Sequence, residues 1–247
     1  MSGKLFLLDT NLGLALAEPP WPEVLETHEV ATVETNDLVR LDAMMRAHEP
    51  HVAFLPIADF HRLLSEGDTH YRGLAIATSK FTGTTNLPSV LVVRRDDPAS
   101  GLADLKGARF AYINRSCSSS WFSPAILLHE RDEVLTRYFE MVPTKPWQGQ
   151  VDAVIAGSVR ATMLPEDVWR TTPANARATR IVARYDSATP ALVVVRRDVE
   201  PAVATALLDA LLTWVPGWNN VYGAFRPFFR ADVHRFFHDL DLLPRDF

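Results

Sequence analysis

Residues 88–96, Pro-Ser-Val-Leu-Val-Val-Arg-Arg-Asp, return almost unchanged at 190–198 as Pro-Ala-Leu-Val-Val-Val-Arg-Arg-Asp. Each copy is a short apolar run rich in Val that ends in charge, the pattern of a buried strand rather than a helix. Each is followed by a proline, Pro98 or Pro201, that opens a new element. Two copies so far apart do not make a solenoid. Taken as two strands of one lobe, they mark where the chain leaves that lobe and where it returns. The expected plan is therefore lobe 1 from residues 1–97 plus 190–247 and lobe 2 from 98–189. Two crossovers between the lobes imply a hinge.

Working outward, Leu5 to Asp9, Glu29 to Val33, His51 to Leu55 and Gly73 to Thr78 read as further strands of lobe 1. Helical segments separate them: Asn36 to Ala47, with Leu38, Leu41, Met44 and Met45 on one face, and Ile57 to Leu64. In lobe 2, Arg109 to Ile113, Arg160 to Leu164 and Arg180 to Tyr185 read as strands, with helices over Ser118 to His129 and Gln148 to Ala156. Val203 to Trp214 and Asp232 to Leu240 read as closing helices of lobe 1. Strand alternating with helix specifies an α/β fold with wound, largely parallel sheets.

The 247 residues carry a net charge of −5 and no Lys/Arg run, which argues against nucleic acid and acidic membrane surfaces as partners. The single cysteine, Cys117, excludes an internal disulfide and a cysteine-rich zinc cage. No apolar run approaches the roughly 18 residues of a membrane span, so membrane insertion is not expected. No basic start plus apolar stretch precedes the first strand. The reading is cytoplasmic if the chain is complete, and periplasmic or cell-surface if a leader was removed.

Chemistry concentrates at Asn114 to Pro124, Asn-Arg-Ser-Cys-Ser-Ser-Ser-Trp-Phe-Ser-Pro, which joins a strand to a helix. The first N–H groups of a helix lack intrahelical partners and sit at the positive end of its dipole, so an anion is favoured there. Hydroxyls of Ser118, Ser119 and Ser120 add donors suited to a phosphate, phosphonate, sulfate or carboxylate. The plain alternative is that one Ser caps the helix and the others fill the turn.

These residues resemble the phosphonate, phosphite and phosphate-binding proteins of ABC transporters, with the type II periplasmic-binding fold. His51-Val-Ala-Phe-Leu-Pro56 is similar to the family's Asp-Val-Ala-Phe-Leu-Gly segment. Ser89 to Asp96 followed by Leu102-Ala-Asp-Leu-Lys-Gly107 resembles its strand and Leu-Lys-Gly signature. Asn114 to Pro124 lines up without gaps on a pattern close to Asp-Pro-x-Ser-Thr-Ser-Gly-Tyr-x-x-Pro. Gly157-Ser-Val-Arg-Ala161 and Val168-Trp169 are similar to the Gly-x-Val-Asp-Ala stretch and the Trp that closes it.

The resemblance implies a two-lobed solute-binding protein that closes on a small oxyanion-bearing ligand and docks on a membrane permease. It needs no cofactor, catalytic residue or metal. Carried over by position, Cys117, Ser118 and Ser119 fall on the family's oxyanion-binding Ser, Thr and Ser, and Pro56 and Ile57 on the loop facing them. Thr84 and Thr85, in a polar loop before the strand at 89, are further candidates, with a hairpin turn as the alternative. Cys117 replaces a serine, Ser120 a glycine and Arg160 an aspartate. Pro165 stands where many relatives place an acid facing the ligand's amine, and Glu166 beside it is the candidate substitute. An aminoalkylphosphonate is therefore less expected than a plain oxyanion or a larger ligand with an aromatic portion.

A cytoplasmic enzyme or a ligand sensor on the same fold is the alternative function. A reactive Cys117 would need a base, and His129 lies too far along its own helix. His234 and His238 share a helical face but lack a third ligand, so they read as a solvated or packed pair. Arg94, Arg95, Arg196 and Arg197 read as salt-bridged strand ends. The aromatic residues from Trp214 to Phe237 read mainly as core, with a partner surface as the alternative.

Overall fold

The computed structural model describes residues 4–9, 29–34, 37–144, 147–188, 192–214 and 223–244. The chain divides into two compact units, Met1–Thr85 with Pro190–Asp232, and Asn86–Thr189 with Val233–Phe247. Both are α/β, each built on one mixed sheet. No helix among the described residues is long and apolar enough to cross a membrane.

The first unit holds a six-stranded sheet of β1 (Lys4–Asp9), β2 (Glu29–Glu34), β3 (Val52–Leu55), β4 (Tyr71–Ala77), β10 (Leu192–Arg196) and β11 (Phe225–Pro227). Their order is β11-β4-β10-β3-β1-β2. β1 runs parallel to β2 and β3, whereas β10 is antiparallel to both β3 and β4. Helices α1 (Leu38–Arg46) and α2 (Ile57–Ser65) follow β2 and β3. Asp37 caps α1 by accepting from Val39 N and Arg40 N. Leu41, Met44 and Met45 are buried from it.

The second unit's sheet contains β5 (Ser89–Arg94), β6 (Arg109–Tyr112), β7 (Glu140–Pro143), β8 (Ala161–Pro165) and β9 (Thr179–Tyr185), in the order β7-β6-β8-β5-β9. β6 is parallel to β7 and β8, and β5 is antiparallel to β8 and β9. Helices α3 (Ser123–His129), α4 (Leu135–Tyr138), α5 (Trp147–Ile155), α6 (Glu166–Thr171) and α7 (Pro173–Ala178) connect these strands. Helix α8 (Pro201–Thr213) belongs to the first unit, and α9 (Arg230–Asp241) passes from the first into the second.

The echoed strands do not share a lobe. β5 lies in the second unit and β10 in the first, and each is the antiparallel strand inserted between two others. The correspondence extends to detail. β10 has a register shift against β4 between Val193 and Val194, and β5 has its shift against β9 between Leu91 and Val92, the same place in the motif. Arg94 pairs with Asp96 at 2.6 Å and Arg196 with Asp198 at 2.7 Å. Arg95 N donates to Ala178 O just before β9, and Arg197 N to His70 O just before β4. Flanked on both sides, each strand buries its run completely, which is why both read as unbroken apolar segments. The similarity reflects equivalent sites in two sheets. The first exit from unit one therefore follows Thr85 rather than residue 97, and the residues from Val233 onward join the second unit.

The aromatic C-terminal residues mostly pack. Phe225 lies 6.4 Å edge-on from Phe54 and 5.7 Å from Trp214, ring centroid to centroid. Phe228 stacks edge-on at 6.0 Å against Phe60 and covers the face of Gly73. Trp218 and Tyr222 lie outside the described residues.

Candidate functional site

After β6 the chain turns at Asn114, whose Oδ1 accepts from Ser116 N at 3.0 Å and whose carbonyl accepts from Cys117 N at 3.3 Å. Cys117 is then the N-cap. Its carbonyl accepts from Trp121 N at 3.0 Å and Phe122 N at 3.2 Å, opening the helix with one wide π turn over Ser118–Phe122 before α3. π turns of this kind recur at functional sites. The Cys117 thiol takes up Ser120 N at 3.4 Å, the role that a serine or aspartate side chain ordinarily fills.

These caps leave a defined remainder. Among the described residues, the N–H groups and the hydroxyls of both Ser118 and Ser119 have no hydrogen-bond partner. Ser118 is half-buried and Ser119 buried. Four donors thus stand together at the positive end of a helix that continues to His129. Arg115, which the sequence reading passed over, adds a full positive charge, its guanidinium 5.3 Å from the centroid of the Trp121 ring. Its only sequence signal is adjacency to the serines.

Ser120 departs from expectation. It is fully buried and its Oγ accepts from Ile113 N at 3.1 Å, tying the helix start to the end of β6. Ser123 Oγ lies 2.7 Å from Ser118 O and 3.0 Å from Ser89 Oγ, fixing the turn against β5. Ser120 and Ser123 hold the backbone of this turn in place.

Glu166 begins α6 at the end of β8, on the same sheet edge as the serine turn because β6 and β8 are parallel. Its buried carboxylate is engaged by Arg170 at 2.7 Å and by Arg184. Arg160, the other departure, forms a two-pronged pair with Asp97 at 2.9 and 3.1 Å at the opposite edge. A cavity of about 450 Å³ there is lined by Arg94, Asp97, Lys106, Arg109 and Arg160. Each of its cations pairs with an acid, Asp96, Glu133, Glu140 or Asp97, which leaves no excess charge to attract an anion.

In the first unit, Pro56 caps α2 with no side-chain bond, and its carbonyl accepts from Asp59 N and Phe60 N. Pro56 and Ile57 are buried, so their side chains are packed rather than presented. β4 runs parallel to β3, both being antiparallel to β10, so the loop after β4 lies on the same sheet edge as Pro56. In that loop Thr84 is exposed, 2.9 Å from Thr82 Oγ1, and Thr85 is buried. Ser79 Oγ accepts from Phe81 N and Thr82 N, and Gly83 takes a positive φ of 66° to close the turn.

The family model for the periplasmic substrate-binding protein of phosphonate ABC transporters matches residues 25–217. Among curated proteins no relative matches. Among solved structures, XAC2383 of Xanthomonas citri bound to chloride is similar at TM-score 0.74 and 18% identity, with 98% of each chain covered. A binding-protein component of an ABC phosphonate transporter from Pseudomonas aeruginosa, PA3383, is similar at 0.71 and 13%, covering 99% of this chain and 90% of that one. PhnD1 of Prochlorococcus marinus in complex with methylphosphonate is similar at 0.71 and 12%, covering 97% and 98%. At these identities the three structures establish the fold.

Proposed function

The chain belongs to the family of periplasmic substrate-binding proteins of phosphonate ABC transporters, and from that membership we propose that it captures a small oxyanion at the helix start formed by Ser118 and Ser119. The observation that carries this reading is the set of four uncommitted donors, two N–H and two O–H, at one helix tip. A phosphonate, phosphate or sulfate group presents acceptors that match them, and charge-assisted hydrogen bonds to such a group are short and strong. Arg115 raises the local positive potential. The family is one of solute capture, so the serines and the thiol act as binding and capping groups.

The state of Glu166 supports an oxyanion without an amine: its carboxylate is held by two guanidinium groups. In this reading the protein works outside the inner membrane and delivers its ligand to a permease. In the first unit Pro56, Ile57 and Thr85 serve as scaffold and the exposed Thr84 as a secondary contact.

The test is calorimetric titration with methylphosphonate, phosphite, phosphate and sulfate. Each charge-assisted bond contributes about 1.5–3 kcal/mol, so Ser118→Ala and Ser119→Ala should each weaken binding by about tenfold or more. Unchanged affinity in the double variant would remove the helix tip from the site. Tighter binding of a 2-aminoethyl phosphonate than of methylphosphonate would refute the reading of Glu166.

A further inference from the structure

Helices α1 and α2 end in the same way. In each, the N–H two residues past the cap reaches back to the third-last helical carbonyl, and the N–H before it to the next: Glu49 N to Met44 O and His48 N to Met45 O, then Asp68 N to Leu63 O and Gly67 N to Leu64 O. The first turn places His48 at the left-handed position, φ 54°, and the second places Asp68 immediately after Gly67. The two turns meet where β3 and β4 begin. His48 Nε2 lies 3.2 Å from Asp68 Oδ2, and His70 Nδ1 lies 3.0 Å from Asp68 Oδ1. The two imidazoles stack with centroids 3.6 Å apart.

We propose that His48, Asp68 and His70 form a binding site for one divalent ion of the zinc class. The three ligand atoms lie within 4.8 Å of one another. Ligands about 2.0–2.1 Å from a tetrahedral zinc stand about 3.3 Å apart, close to the 3.2 Å from His48 Nε2 to Asp68 Oδ2 and the 3.0 Å from His70 Nδ1 to Asp68 Oδ1, so each imidazole already sits at ligand spacing from one of the two carboxylate oxygens. Two imidazoles and one carboxylate select zinc, cobalt or nickel over magnesium or calcium, which prefer oxygen-rich sets. One or two coordination positions would be filled by water, since His70 is exposed and Asp68 only partly so.

The backbone that carries the ligands is also held in place before an ion arrives. Arg196 donates to His48 O, and Arg197 donates from its N to His70 O at 2.8 Å and from Nε to Thr69 O at 2.7 Å. The Arg196 charge is itself matched by Asp198. Fixing both loops in this way reduces the ordering cost of coordination. The site lies at the β3 end opposite Pro56, so it is separate from the candidate contacts of that unit and independent of the oxyanion reading.

The experiment uses tag-free, chelator-treated protein titrated with zinc chloride, with cobalt(II) absorption as a second readout. One equivalent should bind, and the visible band of a low-symmetry N/O cobalt site should appear. His48→Gly suits a left-handed position and His70→Ala alters an exposed side chain, so both variants should fold, as circular dichroism would verify. Each should lower zinc affinity by about tenfold or more and reduce the zinc-induced rise in melting temperature. His234→Ala with His238→Ala should leave the stoichiometry at one. Absence of saturable binding, or binding unaltered in the His48→Gly and His70→Ala double variant, would overturn the proposal.

Discussion

Cys117 shows how one residue can mislead. A lone thiol at a helix start invites a nucleophile, yet its sulfur accepts a backbone N–H and its carbonyl takes two more. Cys117→Ser should preserve ligand affinity and stability, whereas Cys117→Ala should cost about 0.5–1 kcal/mol, measured by urea denaturation. Arg160 makes the opposite point. Arg160, where the family resemblance implies an aspartate, forms an ion pair that holds the Asp97 carboxyl below the usual carboxylate range, chiefly through the Arg160 hydrogen bond. A depressed folded value stabilises fully above the ordinary value near 3.9 and less as pH falls through the folded one. Stability followed by denaturation from about pH 6 down to about pH 3 should therefore decline, and Asp97→Asn should flatten part of that decline.

At the scale of elements, the strands and helices of the central sheets were legible because their residues are buried in simple periods. Leu41, Met44 and Met45 repeat at helical spacing, and Val90 to Val93 form an unbroken run. The short edge strands β7 and β11 were not legible. At four and three residues both are too short for a period to show, and β11 is defined by its pairing with β4. Likewise no local signal joins His48 to Asp68, because their meeting depends on two helix ends twenty residues apart. Ser118 and Ser119 could be read as donors, but that Ser120 faces inward followed only from the π turn.

Two element-level outcomes can be measured. Asp132 occupies a left-handed position, φ 57°, at the turn that ends α3, and there Asp132→Gly should raise stability by about 0.5 kcal/mol. Gly73→Ala would set a methyl 2.2 Å from Phe228 Cδ1, so about 1–3 kcal/mol of stability should be lost as that ring is displaced.

For the molecule as a whole, the α/β class and the existence of two units followed from the alternation and the echo, whereas the assignment of the echoed strands did not. A sequence repeat reports that two segments occupy similar surroundings, and β5 and β10 do so in different sheets. Ligand binding to the folded state should raise the melting temperature with ligand concentration: at one hundred times Kd the gain is about 2.7 kcal/mol, and scanning across oxyanions would rank them.

The kinship of β5 and β10 makes them interchangeable parts. Writing residues 88–96 over 190–198 requires only Ala191→Ser, Leu192→Val and Val193→Leu, the last two of which conserve volume between neighbours. Such a transplant should still give a cooperatively melting protein, as though a single cassette had been built to serve two addresses.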